Sequence, residues 1–279
     1  MLALHLLLSR LDNRIVLATN PWERRIARAE ELAATETSAG EVLRFLALVL
    51  RLQKGVWRKL ERASIPQTDL GFGRPIWAGA IDELPALLEV TRKEGPLALT
   101  EAARRLGEES RRLEGRAPEL WVNKAGESET PAEDFFARAL LQPYAEFVRS
   151  RGETKLLKHT PHLCPFCNHK PVAGVLRQVG DGGQRSLLCS LCFGEWVFRR
   201  IVCPACGEEN SAKLPVYCAG EFAHLRVECC DTCKTYIKTV DLTKNGLAEP
   251  LVDEIAAIPL DLWAQEHGYS KLQVYLMQL

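Results

Sequence analysis

Apolar residues recur at steps of three and four through Val42, Phe45, Leu46, Val49, Leu52, Val56 and Leu60, while Arg44, Arg51, Lys54 and Arg58 fall largely on the other faces. That period predicts a helix burying one stripe against a core. Further helices are predicted around it. Asn20 and Pro21 supply a cap and first-turn proline for a helix carrying Arg25, Arg28 and Leu32. Helical patterns resume over residues 82–93 and 99–112. Thr130, Pro131 and Glu133 make a capping box ahead of Phe135, Phe136, Leu140, Tyr144 and Phe147. Pro143 lies inside that helix and is expected to kink or interrupt it, because proline removes a main-chain donor. Residues 71–75 read as a loop and 115–130 as a linker rich in Gly, Glu, Ser and Pro. Residues 99–107 resemble the first half of a helix-turn-helix. Glycine, proline and polar residues follow where a recognition helix belongs, so the segment is read as structural.

Beyond about residue 155 the pattern shortens to strands. Residues 172–179 lead into Gly180, Asp181, Gly182 and Gly183, a hairpin turn, and 186–189 return. Trp196, Val197, Phe198 and Ile201 form one later apolar run, and Tyr236, Ile237 and Val240 another. After Asn245 and Gly246 the chain turns helical again, with pieces at 249–257 and 261–267 separated by Pro259 and ended by Gly268. The reading is α+β: a helical domain over 1–155, a first small module at 156–200, a second at 201–242, and a short helical tail at 243–279.

All ten cysteines lie between residues 164 and 233. Eight form Cys-x-x-Cys pairs: Cys164/Cys167, Cys189/Cys192, Cys203/Cys206 and Cys230/Cys233. Such a turn sets two thiolates on one side of a tight loop, and two turns provide a tetrahedral four-sulfur site. The first pair recurs 39 positions later in the third, and the second recurs 41 positions later in the fourth. Two repeats therefore predict two sites filled in sequence order, with a crossed pairing as the rival. Pro165 and Pro204 preset the loop, and Asn168 and Gly207 tolerate the left-handed backbone that follows. A disulfide framework is the competing explanation, but such frameworks belong mostly to short secreted chains. Cys218 and Cys229 stand outside the pairs and read as structural thiols. His162, His169 and His224 read as neighbours of the sites, not ligands. Zinc and iron both accept four sulfurs, so spacing does not separate them.

Charge narrows the function. The 279 residues carry a formal net charge of zero, and residues 160–240 hold nine Lys and Arg against seven Asp and Glu. Phosphate would find no basic footprint there, which argues against nucleic acid. No apolar run approaches the ~20 residues of a membrane span, and the opening stretch, apolar over residues 2–8, lacks the basic start of a signal peptide. Many reduced thiols imply the cytoplasm. The chain carries no phosphate loop, His-Glu-x-x-His or nucleophile elbow, and closed four-sulfur sites leave no position for a substrate. The chain is therefore read as a non-enzyme.

Several stretches together resemble the FdhE family of formate dehydrogenase accessory proteins. They are Cys164-Pro165-Phe166-Cys167 running into Pro171-Val172-Ala173-Gly174-Val175; Leu188-Cys189-Ser190-Leu191-Cys192 with Glu195-Trp196; Cys203-Pro204-Ala205-Cys206-Gly207; Cys230-Asp231-Thr232-Cys233 with Tyr236-Ile237-Lys238; and the tail from Glu249-Pro250 to Gly268-Tyr269. The resemblance covers about residues 160–270. It implies two tandem rubredoxin-like, or zinc-ribbon, modules holding two metal ions, iron favoured and zinc possible. The eight paired cysteines carry over as ligands by family position. The implied role is a cytoplasmic assembly factor for a respiratory formate dehydrogenase, binding its catalytic subunit. Cys218 and Cys229, where small residues are expected, depart from the family pattern, as does the tail over 272–279. A rubredoxin-like electron carrier is the alternative, and a nucleic-acid-binding ribbon a more distant one. The oligomeric state is left open.

Overall fold

The computed structural model describes residues 20–35, 38–63, 80, 82–112, 131–151, 161–180 and 182–276. The opening stretch, the predicted loop at 71–75, the linker at 115–130, Thr130, Asp181 and the last three residues lie outside these.

Five helices come first: α1 (Pro21–Thr35), α2 (Gly40–Arg62), α3 (Leu84–Glu94), α4 (Leu97–Arg112) and α5 (Pro131–Arg151). Asn20 Oδ1 accepts the amide of Trp22 at 2.9 Å, capping α1 as its sequence predicts. Of the predicted α2 stripe Phe45, Leu46, Val49, Val56 and Leu60 are buried, Val42 and Leu52 only half so, and Leu43, Leu50, Gln53 and Trp57 join the buried face; the helix packs on α1 and α5. Helices α3 and α4 pair with each other.

Of the kink or interruption expected at Pro143, the interruption does not occur; α5 runs through it as one helix. Proline deprives the carbonyl four residues earlier of its partner, and here that carbonyl belongs to Ala139. Gln53 of α2 supplies a replacement, its Nε2 donating to Ala139 O at 2.8 Å. A side chain from another helix thus repairs the defect.

The sheet contains β1 (Pro171–Val179), β2 (Gly182–Cys189), β3 (Glu195–Val197), β4 (Val216–Tyr217), β5 (Leu225–Cys230), β6 (Thr235–Asp241) and β7 (Ser270–Lys271). Its order is β3-β2-β1-β6-β5-β4, with β7 added to β6. Each cysteine repeat builds three antiparallel strands. A short parallel seam joins the two sets, running from Gly174↔Thr239 to Leu176↔Asp241. A Cβ at position 174 would lie 2.2 Å from Thr239 Oγ1, so the seam requires glycine there.

Two helices lie between β6 and β7, α6 (Pro250–Ala256) and α7 (Ile258–Glu266). Pro259 sits in the first turn of α7, where it has no amide to lose, and does not separate the helices. The break falls at Ala257, whose ψ of 46° leaves the helical range.

Two apolar cores result. The larger runs from Trp22 through α2 and α5 into Cys164, Cys189, Cys192 and Phe193, and on to Leu251 and Tyr275. The smaller gathers Phe222, Leu225, Val227, Tyr236 and Val240 with Leu260 and Ala264. A buried charge cluster fastens the tail to β6. Lys238 Nζ lies 2.6 Å from Asp261 and 3.2 Å from Glu254, Lys271 lies 3.1 Å from Asp261, and the Tyr236 hydroxyl donates to Asp261 at 2.7 Å. The fold is the α+β arrangement expected from the patterning. Among the described residues no helix is long and apolar enough to cross a membrane.

Candidate metal centres

The sulfurs of Cys164, Cys167, Cys189 and Cys192 lie within 4.8 Å of one another, and so do those of Cys203, Cys206, Cys230 and Cys233. All ten cysteines are free thiols. Sulfurs are thus gathered in sequence order, not crossed between repeats. In the first group Cys164–Cys192, Cys167–Cys189 and Cys167–Cys192 are 3.3 to 3.6 Å apart at sulfur, and in the second Cys203–Cys233 and Cys206–Cys230 are 3.7 Å apart. A tetrahedral ion bound at 2.3 Å would set them about 3.8 Å apart. The geometry fits a metal of that size, and no disulfide competes for the sulfur.

Each pair sits on the same turn. Asn168 donates to Cys164 O at 2.9 Å, Gly207 to Cys203 O at 3.0 Å and Lys234 to Cys230 O at 2.8 Å. The amides of Leu191 and Ala205 point at the sulfurs of Cys189 and Cys203, both at 3.4 Å. The residue after each second cysteine is left-handed: Asn168 at φ 63°, Phe193 at 53°, Gly207 at 80° and Lys234 at 56°. Asn168 and Gly207 were legible as such. Phe193 and Lys234 were not, because neither residue type favours that region. Their shared place after a Cys-x-x-Cys was the available signal.

Crowded thiols constrain one another's protons. Hydrogen bonds among the first group drive Cys164 down and hold Cys167 and Cys192 up. Burial pushes Cys203 and Cys206 up. A cation is what would draw these protons off and leave thiolates.

The surroundings of the first group were not visible in its spacing. Arg149 Nε donates to Cys192 O at 2.9 Å and Gln142 Nε2 to Ser190 O at 3.0 Å, so α5 grips the second turn. Gln142 Oε1 in turn accepts from Gln53 at 2.9 Å. The Arg25 guanidinium lies 4.5 Å from the Phe193 ring centre and 4.8 Å from that of Trp22. It donates twice to Glu146, at 2.8 and 2.9 Å. The second group is held by the tail and by loop segments, with the Tyr269 hydroxyl donating to Asp231 at 2.8 Å and the Asp231 amide to Lys213 O at 2.9 Å; Cys206 is exposed and Cys233 half-buried.

No histidine joins either group. His169 Nδ1 lies 3.0 Å from Cys167 O, and burial holds its pKa below the ordinary value. His162 sets its ring edgewise to Phe198 and lies 3.5 Å from where a Cβ on Gly207 would be. His224 lies 2.8 Å from Asp253. Cys229 is buried beside Cys230, and burial pushes its thiol up to about 12. Cys218 is exposed and outside both groups.

A profile of the FdhE central domain matches residues 163–200, and one of the FdhE C-terminal domain matches 201–278. The boundary between them falls between the two cysteine groups. A protein FdhE homolog of Pseudomonas putida is 30% identical over 284 residues, covering 93% of this chain and 88% of the relative. The chain belongs to the FdhE family. An FdhE homolog of Aquifex aeolicus is 34% identical over 140 residues, a match spanning half of each chain. Protein FdhE of Escherichia coli is 27% identical and covered over 87% of its length. The crystal structure of the FdhE protein from Pseudomonas aeruginosa superposes with a TM-score of 0.67 at 26% identity, covering 91% of this chain and 94% of that one. The likeness to FdhE therefore includes the helical half, where the sequence resemblance was loose.

Proposed function

We propose that this protein is a cytoplasmic, non-enzymatic assembly factor for a respiratory formate dehydrogenase, binding its catalytic subunit while holding two metal ions. On this reading Cys164, Cys167, Cys189 and Cys192 hold one ion, and Cys203, Cys206, Cys230 and Cys233 the other. Iron is the favoured metal. The chain works as a helical domain (1–155), two metal-holding modules (156–200 and 201–242) and a C-terminal segment (243–279).

The single observation that carries the reading is the pair of four-sulfur groups in an FdhE-family fold. Four protein ligands close a site against substrate, so the metal supports structure and not Lewis-acid chemistry. Balanced charge suits a protein partner better than nucleic acid.

The test has two arms. Metal analysis and an absorption spectrum of anaerobically purified protein are expected to show about two ions per chain, coloured if iron. Capture of the catalytic subunit is expected at low and raised salt, and a deletion strain is expected to lose formate oxidation. Normal oxidation in that strain, with no capture, would overturn the assembly role. It would favour the second reading, electron transfer, which the exposed sulfur of Cys206 supports.

A further inference from the structure

A cavity of about 220 Å³ opens beside the second cysteine group, between the segment 200–205 and strands β4 and β5. Cys203 and Cys230 form part of its wall. Its floor includes the buried Val202 and Ile237. Its rim is apolar yet open to solvent: Ile201 is 57% exposed and Val216 53%. β4 ends the sheet, and its outer edge pairs with no strand among the described residues.

The charges around the cavity are unequal. Arg185, Arg200 and Arg226 line it against one carboxylate, Glu228. Arg185 is 2% exposed; it donates to Glu228 at 2.6 Å and to Arg199 O at 2.9 Å, and its Nε is buried without an acceptor. Arg226 donates to the same Glu228 at 2.8 Å. One carboxylate therefore serves two arginines. Arg200 is exposed on the rim and has no carboxylate partner among the described residues. A carboxylate arriving from outside would meet Arg200 first, and an apolar side chain beside it would meet Ile201 and Val216.

We propose that this cavity and the free edge of β4 receive an extended segment of the partner protein in which acidic and apolar residues alternate. An added strand directs successive side chains to opposite faces, so alternate residues can enter the cavity while the backbone pairs with β4. The inference rests on the assembly reading and names the surface that reading uses. It also places the partner against the wall of the second cysteine group.

The test uses the full chain loaded with metal. A fluorescein-labelled peptide of repeating Glu-Ile is titrated against wild type, R200E and V216D, beside a Lys-Ile control; the same proteins are used to capture the catalytic subunit. Wild type is expected to bind the Glu-Ile peptide at least about tenfold tighter than the Lys-Ile peptide. Each substitution is expected to weaken the Glu-Ile peptide about tenfold and to lower subunit capture, with metal content unchanged. R200K is expected to retain binding. If V216D sheds metal, R200E on the exposed rim decides. Equal affinity across wild type, R200E and V216D, or no affinity of wild type for the Glu-Ile peptide, overturns the site. Subunit capture that neither substitution weakens overturns the site and leaves the assembly role standing. No capture by wild type overturns the assembly role, and the peptide titration then decides the site alone.

Discussion

The two cysteine groups share one turn geometry and differ in what surrounds it. Cys164, Cys189 and Cys192 are fully buried in the core that also holds Trp22 and α5. Arg25, Gln142 and Arg149 hold the ring and carbonyls of the turn between Cys189 and Phe193. In the second group Cys203 and Cys230 are buried, with their neighbours Val202 in the larger core and Cys229 in the smaller, while Cys206 reaches solvent. The same local chemistry therefore produces a structural anchor in one place and an accessible sulfur in the other. Ligand spacing decides how an ion is held. Packing decides what the rest of the molecule loses when it leaves.

That contrast breaks if both sites matter equally to the helices. C189S is expected to lose several kcal/mol of stability and to lower the melting of the helical circular dichroism by more than about 10 °C. C206S is expected to release metal from the second site and leave the helical melt where it was. Equal shifts for the two variants would erase the distinction.

Next in size is the ion pair behind Phe193. E146Q leaves Arg25 charged and buried, and is expected to cost about 3–5 kcal/mol in urea unfolding. A loss under 1 kcal/mol would mean that the pair does not brace the first site.

Q53L, which removes the donor to Ala139, is expected to cost about 1–3 kcal/mol. P143A restores that carbonyl's own partner, so Q53L in a P143A background is expected to cost less. Additive losses would refute the repair.

The smallest effect is expected with acid. Burial works to push the carboxyl of Asp253 up, but hydrogen bonds from His224 and Arg28 overcome it and hold the carboxyl below its ordinary value. A depressed carboxylate contributes fully above that ordinary value, and its contribution is lost as pH falls through the folded-state value. D253N is therefore expected to be less stable than wild type at pH 7, with the gap closing as pH falls below the ordinary carboxylate range. A gap that stays constant would remove Asp253 from the account.

How much of this was legible in the sequence follows from the range of each interaction. Cys-x-x-Cys spacing is local, so the grouping of the sulfurs could be read directly, and the period of α2 gave much of its buried face but not Leu43, Leu50, Gln53 or Trp57. That α5 continues through Pro143 was not legible, because the replacement donor lies at Gln53, far away in sequence. The seam between β1 and β6 was invisible because Gly174 reveals nothing until Thr239 is beside it. β5 was missed although Leu225, Arg226, Val227, Glu228 and Cys229 alternate apolar and polar as a half-buried strand does. Pro259 looked like a separator because a proline at a helix start and one after a helix end read alike in a short apolar run.

The contact between α1 and the tail has a consequence in time. Arg28 donates to Asp253 at 3.0 and 2.6 Å, and Trp22 and Tyr275 meet the same Phe193 ring edgewise at 6.0 and 6.3 Å. A ribosome makes α1 well before it reaches Asp253. At roughly 5–20 residues per second, the stretch from the end of α5 to Asp253 takes about 5–20 s. During that interval all eight paired cysteines are added to the chain, while the segment that closes over the first turn does not yet exist. The first four sulfurs are thus made well before that segment, and its arrival completes the enclosure of the first site.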